Sequence, residues 1–230
     1  MTLPHKILVW DVPTRLFHWL LVASFAGAFA TGESEQWLHT HVLLGYTAGG
    51  LIGFRLVWGL IGTRYARFSN LPLHPQAVLS YLRSLRSGSP EHHTGHNPAG
   101  SWSILAILTL VAAVAISGWT VLAKVGPEWL KDVHEGLSNA AVALIVVHVA
   151  AVIMSSLLHR ENLVRAMLTG FKQGAEHDAS AESASWLVGV LLLGAVAALW
   201  AGWLPISADG AHQTAADTAA QRHAIHGRQH

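Results

Sequence analysis

The sequence contains no cysteine among its 230 residues, and this absence excludes several kinds of site. Structural disulfides and thiolate-bound iron–sulfur clusters need cysteine, and covalent c-type haem needs a C-x-x-C-H motif. Any metal or cofactor must therefore be held by nitrogen or oxygen ligands. Histidine is the abundant candidate, with 16 residues.

Charged side chains are also scarce. They make up 12% of the residues, about half of the share in a typical soluble domain, whereas 52% of the residues are hydrophobic. The apolar residues form long blocks, which indicates an integral membrane protein. The net charge of +1, with no basic patch interleaved with aromatics, gives no indication of nucleic-acid binding. No signal-peptide pattern accompanies the first apolar block.

Five apolar stretches approach the ~20 residues that a helix needs to cross a bilayer. They comprise residues 14–31, 41–62, 102–123, 133–158 and 186–204. The ten tryptophans fall mostly near their ends, as is typical of aromatic belts at the two membrane interfaces. We therefore predict an all-α membrane protein, a four-helix transmembrane bundle followed by a fifth, C-terminal transmembrane helix.

Lysine and arginine in the connections predict the orientation. With the N-terminus in the cytoplasm, the inner connections contain Lys6, Arg15, Arg64, Arg67, Arg83, Arg86, Arg160, Arg165 and Lys172. The outer connections then contain Lys124, Lys131, Arg222 and Arg228. This excess favours a cytoplasmic N-terminus and, with five spans, a periplasmic C-terminus.

Composition divides the chain into four parts. Residues 1–173 form the transmembrane domain, 174–185 a small polar linker, 186–204 the additional helix, and 205–230 a histidine-rich tail predicted to be disordered. Within the connection 63–100, the segment PQAVLSYLRSLRSG predicts a short amphipathic helix on the membrane surface, with Pro75 near its start.

The fourth stretch carries two histidines, His134 and His148, fourteen residues apart. This spacing is almost four helical turns, so both side chains leave one face of the helix, about 21 Å apart along its axis. Ionisable residues inside a span need a partner or a ligand. Two stacked cofactors on this face would provide such a partner for each histidine.

Depth in the membrane pairs these histidines with two others. His18 lies one turn past the start of the first stretch, near the inner face, and His41 begins the second stretch at the outer face. The predicted levels are His41 with His134 outside and His18 with His148 inside. Two histidines that face each other form the axial pair of a six-coordinate haem, which suits electron transfer. A single interface histidine is more often only hydrogen-bonded, and His39 competes with His41 as the ligand.

Two features of the second stretch fit a haem site. Arg55, fourteen residues after His41, shares its face and either binds a haem propionate or extends to the inner interface. Gly45, one turn after His41, begins a stripe with Gly49 and Gly53. The stripe leaves room either for a porphyrin face or for a closely packed helix.

The remaining polar residues give weaker indications of function. His92, His93 and His96 are zinc-ligand types, but no fourth ligand is nearby, and a solvated loop explains them better. Glu135 either assists the outer pair or is solvated. We predict no catalytic residue, and we assign no role to the histidines of the tail.

Several separated motifs resemble the bacterial cytochrome b561 family, which includes the b-type cytochrome subunits of nickel–iron hydrogenases. They are WDVPTRLFHW, HVLLGY, FRLVWGLIG, GHNPAG and HEGLSNAAVALIVVHVAAVIMSSLLHRENLVRAM, in order within residues 8–173. The resemblance implies two haem b groups ligated by His18, His41, His134 and His148, in the bacterial cytoplasmic (inner) membrane. It also implies electron exchange with quinone and with a redox partner such as a c-type cytochrome or a hydrogenase.

We therefore expect transmembrane electron transfer by a di-haem cytochrome b that acts as a subunit rather than as a stand-alone enzyme. One alternative is a superoxide:quinone oxidoreductase of the same fold, which would need a positively charged funnel at the outer haem. Only Lys124 and Lys131 are available there. A second alternative is a divalent-metal transporter or sensor, for which Glu135 is the sole acid beside a span histidine.

Overall fold

The computed structural model describes residues 5–87, 95–174, 180–181 and 183–203. Within these ranges the chain forms seven α-helices and one two-stranded sheet. The elements are β1 (His5–Leu8), α1 (Val12–Thr31), α2 (Leu38–Ile61), α3 (Pro75–Arg86), α4 (Pro98–Leu122), α5 (Leu130–Leu158), α6 (Leu163–Thr169), β2 (Phe171–Gly174) and α7 (Trp186–Trp200). His92, His93, half of the predicted linker (residues 175–179 and 182) and the predicted histidine-rich tail lie outside the described residues.

The protein is mostly helical, and the length and apolar composition of its helices indicate that it spans a membrane. Three helical segments, Glu35–Ile61, α4 and α5, are long and apolar enough to cross a bilayer. The first predicted span is the 20-residue helix α1. At 15 residues, α7 is about 22 Å long, shorter than the ~30 Å hydrocarbon layer. The predicted total of five full spans therefore stays a prediction.

Helix starts follow local sequence signals. The side chains of Asp11, Asn97 and Asn162 each accept a hydrogen bond from a backbone N–H in the first turn of α1, α4 and α6. Asn and Asp are favoured at this position because they satisfy an N–H that has no partner within the helix. Proline in the first turn of α1 and α4 adds a second start signal.

The long helices pack in the order α1, α2, α4, α5, and α7 lies against α1. The main core is shared by α1, α2, α4 and α7; it consists of Phe17, Leu21, Ala48, Leu51, Ile52, Leu108, Val111 and Leu192. Helix α5 packs chiefly on α4, and its contacts with α1 and α2 are sparse among the described residues. Of its 29 residues, all of them described, only Ala141 is buried.

An antiparallel pairing of β1 with β2 was not predicted from the sequence. Leu8 pairs with Phe171, and His5 pairs with Gly174. Below the strands, Ile7, Val9, Trp10 and Ala166 form a second small core. The sheet thereby attaches the start of α1 to the segment that follows α5 and α6.

The predicted amphipathic helix of the long connection is α3, which lies against α4. Tyr81, 3% exposed, faces inward and its hydroxyl accepts a hydrogen bond from Asn97 Nδ2 at 3.1 Å. Leu79 is 53% exposed. An exposed leucine on such a helix agrees with a position at the membrane surface.

Candidate functional site

A large cleft opens between α1, α2, α4 and α5 at the end of the bundle where α2 and α5 begin. Its volume is about 840 Å³, within the usual range for cofactor and ligand sites. Aromatic and aliphatic side chains line most of it, and His41 and His134 project from opposite sides. The sparse contact between α5 and α2 leaves this space open.

His41 and His134 face each other across the cleft. Their ring centroids are 6.2 Å apart, and the ring planes are nearly perpendicular at 89°. Imidazole nitrogens bind transition metals at about 2 Å, so two imidazoles on opposite sides of one iron would have centroids about 6 Å apart. The observed separation fits one metal atom between the rings.

In both rings the same nitrogen, Nδ1, is hydrogen-bonded to the protein. Nδ1 of His41 lies 2.8 Å from the carbonyl oxygen of Ala28. Nδ1 of His134 lies 3.1 Å from the carbonyl oxygen of Val114 and 3.1 Å from Oγ of Ser117. Because a carbonyl only accepts, Nδ1 carries the proton in each ring and Nε2 keeps its lone pair. Metal-binding histidines are commonly oriented in this way.

Two glycines shape this cleft. A Cβ at Gly118 would meet Cε1 of His134 at 2.9 Å, so the ring lies directly on the backbone of α4. A Cβ at Gly45 would meet no atom of the described residues within 4 Å, and Gly45 lines the cleft. A Cβ at Gly49, in contrast, would lie 3.5 Å from Cβ of Ala115 on α4, which is an ordinary contact distance. Gly49 therefore faces the neighbouring helix, whereas Gly45 faces open space.

The mouth of the cleft is more acidic than basic. Glu33, Glu35 and Glu135 line it together with a single lysine, Lys131. Glu135 is exposed. His39 is exposed, whereas His41 is half-buried and reaches the cleft.

The predicted inner pair comprises His18 on α1 and His148 on α5. The two rings are close enough to interact electrostatically. Nδ1 of His148 lies 3.4 Å from Oγ of Ser103, and Nδ1 of His18 is buried without a hydrogen-bond partner among the described residues. A buried, unpaired ring nitrogen is costly unless a ligand takes part in the site.

Arg55 is buried by other side chains. The residue is 3% exposed, and its guanidinium carbon lies 4.5 Å from the ring centroid of Phe68. Nη1 has no hydrogen-bond partner among the described residues. A buried guanidinium with a free N–H is suited to a carboxylate ligand.

His96 precedes α4 and lies against the indole of Trp10, with ring centroids 4.6 Å apart. Burial, with smaller electrostatic contributions from Arg55, Lys172 and His148, lowers the pKa of His96 to about 3. In the part of the chain that the structure describes, no cluster of three or more His, Asp or Glu side chains has metal-site geometry.

Sequence reasoning did not identify the residues that orient the histidines. Ser117 and Ser103 contact the rings of His134 and His148 from α4. Serines are common in apolar helices, and only the three-dimensional pairing of α4 with α5 distinguishes these two. Asp11 was also missed, although an aspartate before Pro13 and Thr14 is a helix-start signal.

Comparisons with known proteins show which family the chain resembles. The profile of the family described as prokaryotic cytochrome b561 matches residues 9–170. A probable Ni/Fe-hydrogenase B-type cytochrome subunit of Cupriavidus necator is 25% identical, with 71% of this chain and 86% of the relative covered. The proteins of the same description from Rhodobacter capsulatus (20% identical; 73% and 81% covered) and Azotobacter vinelandii (23%; 72% and 88%) are similar. No solved structure gives a significant match.

Proposed function

This chain belongs to the prokaryotic cytochrome b561 family, and we propose that it binds two haem b groups, one at each histidine pair, and relays electrons between quinone and a redox partner. Membrane electron transfer with haem b is the general activity of the b-type cytochromes to which it is related. When bound, a haem with two imidazole ligands supplies an iron that gains and loses one electron without an open coordination position.

The geometry of His41 and His134 carries the proposal. Their separation fits a single iron, both Nδ1 atoms are engaged by the protein, and both Nε2 atoms are available to a ligand. The open space at Gly45 supports a porphyrin on the same side of α2. His41 and His134 would therefore hold the outer haem.

The inner haem is proposed at His18 and His148. Their proximity and the unpaired Nδ1 of His18 support this assignment. Arg55 would bind a propionate of this haem, because its buried Nη1 has an unused hydrogen to donate. Its removal would therefore weaken retention of the inner haem more than that of the outer haem.

The partner and the orientation are proposed from similarity and charge. Relatives are named as hydrogenase B-type cytochrome subunits, which supports a hydrogenase or a comparable redox enzyme as the partner. The excess of Lys and Arg on one side supports a cytoplasmic N-terminus in the inner membrane. The acidic mouth of the outer cleft does not favour the superoxide alternative, because acidic groups repel an anionic substrate.

Haem stoichiometry tests the proposal. The purified protein, expressed with ample haem, is expected to show a b-type spectrum and two haems per chain. His134→Leu and His148→Leu should each lose one haem, with different midpoint potentials for the haem that remains. His39→Leu is the matched control and should keep both. Loss of neither haem in His148→Leu would contradict the inner site, and a colourless wild-type protein would contradict the function.

A further inference from the structure

Asp11 is a buried carboxylate at the junction of α1, α2 and the loop that follows α2. It is 1% exposed. Its Oδ1 accepts a hydrogen bond from the backbone N–H of Thr14 at 2.9 Å. Its Oδ2 accepts two more, from Nε1 of Trp58 at 3.0 Å and from Oγ1 of Thr63 at 2.6 Å. One side chain thus connects the first turn of α1 to the last turn of α2.

The three hydrogen bonds require a group that only accepts. The backbone N–H and the indole N–H are obligate donors, and both oxygens of Asp11 are engaged by them. An ionised carboxylate meets this requirement, whereas an amide would place an NH₂ group against one of the donors. Arg55, close enough to interact electrostatically, supplies the opposite charge. A buried charge without such compensation is strongly unfavourable.

Asp11 also lies beside the proposed inner site. His18 follows it by seven residues, which is about two turns and ~10 Å along α1, on nearly the same face. Arg55 precedes Trp58 by three residues on α2, so the two are neighbours on that helix. The carboxylate therefore caps the helix that carries His18 and accepts a hydrogen bond from Trp58, a neighbour on α2 of the arginine proposed to bind a propionate.

We propose that Asp11 tunes the inner haem: its three hydrogen bonds hold the carboxylate at the junction of α1 and α2, and its negative charge lowers the midpoint potential of the iron that His18 and His148 would hold. The inference rests on the proposed function. A negative charge near an iron disfavours gain of an electron. Removal of that charge should therefore raise the potential of the inner haem selectively.

Redox titration of Asp11→Asn tests the charge. The haem that is lost in His148→Leu identifies the inner component of the titration. We expect Asp11→Asn to raise the midpoint potential of that component and to leave the outer component unchanged. Thr63→Val is the matched control, because it removes one hydrogen bond to Asp11 but keeps the charge. It should lower thermal stability without shifting either potential.

Two results would overturn the inference: unchanged potentials in Asp11→Asn, or a shift in Thr63→Val as large as that in Asp11→Asn. If Asp11→Asn does not fold, the inner midpoint potential is compared between Arg55→Gln and the double variant Asp11→Asn/Arg55→Gln. The double variant removes both the carboxylate and the cation that would otherwise be left without its opposite charge. The inner potential of the double variant should lie above that of Arg55→Gln, and equal values would again refute the role. A wild-type protein with fewer than two haems would refute the proposed function instead.

Discussion

Alanine substitutions at Gly45 and Gly136 distinguish the effect of a methyl group on cofactor binding in the cleft from its effect on helix stability. A Cβ at either position would meet no atom of the described residues within 4 Å. Gly45 lines the cleft, whereas Gly136 is exposed near the start of α5. In both helices, Ala is favoured over Gly by about 1 kcal/mol.

We predict that Gly45→Ala weakens the outer haem, because the methyl group would enter the space assigned to the porphyrin. Overpacking typically costs about 1–3 kcal/mol, which corresponds to a loss of roughly five- to 150-fold in haem affinity. Gly136→Ala should keep both haems. The haem-to-protein ratio after dilution into detergent measures the effect. Equal retention in the two variants would show that no porphyrin contacts Gly45.

The low pKa of His96 predicts a dependence of stability on pH. In the folded protein the pKa is lowered from 6.5 to about 3, chiefly by burial. The unfolded chain therefore takes up a proton below pH 6.5 that the folded chain does not bind. Stability should fall as the pH decreases from 6.5 towards 3, and it should be insensitive to this group above 6.5.

The comparison of His96→Gln with wild type measures that contribution. Because glutamine does not titrate, the melting temperature of His96→Gln should fall less than that of wild type between about pH 7.5 and pH 5. The exposed His74, changed to Gln, is the control and should follow wild type. Parallel curves for all three proteins would contradict a neutral, buried His96.

Among the helices, α5 depends most for its position on whatever fills the cleft. It carries both His134 and His148, yet it packs chiefly against α4 and buries only Ala141. Helices α1 and α2, in contrast, share a large seam and contribute to the main core. In lipid, weak van der Waals contact gives an isolated helix little to hold it in place.

We therefore predict that haem removal loosens α5 first. Protein made in haem-deficient cells should show faster amide hydrogen exchange in α5 than haem-replete protein, whereas exchange in the α1–α2 seam should be nearly equal. Hydrogen exchange read by mass spectrometry distinguishes these segments. A uniform change across all helices, or none in α5, would show that haem does not brace this helix.

Apolar run length was sufficient to predict the long helices but not the pairing of β1 with β2. The helices α4 and α5 begin several residues before their predicted spans, because polar residues such as Asp132 continue the helix beyond the hydrocarbon layer. The strands are four residues each and more than 160 residues apart in the chain. No local pattern marks so short a pair.

The histidine levels followed from helix geometry, since fourteen residues are nearly four turns. The contacts that orient the rings could not be predicted, because they depend on which face of α4 meets α5. The same limit applies to Asp11 and Arg55, whose burial arises only when α1 packs on α2. Sequence pattern thus indicated the ligand candidates, and packing determines their surroundings.

For the whole molecule, α7 belongs to the bundle rather than to a separate unit. Leu192 joins the main core, Gly189 lies against Val12, and Nε1 of Trp200 donates to Oγ1 of Thr47 at 3.0 Å. The segment before α7 is attached as well, because the N–H of Val12 donates to the carbonyl oxygen of Ala184. Each predicted histidine ligand nevertheless lies before residue 173.

Stepwise shortening of the chain tests this organisation. A chain that ends at residue 203 keeps every described contact, and we expect its haem content and melting temperature to match the full length. A chain that ends at residue 185 loses α7 but keeps the Ala184 contact and all four histidines. It should retain both haems and lose about 1–2 kcal/mol of stability, because lipid replaces most apolar contacts of α7 while the Trp200 hydrogen bond is lost. Loss of a haem in that chain would make α7 part of the cofactor-binding domain, since the two shortened chains differ only in this helix and its flanks.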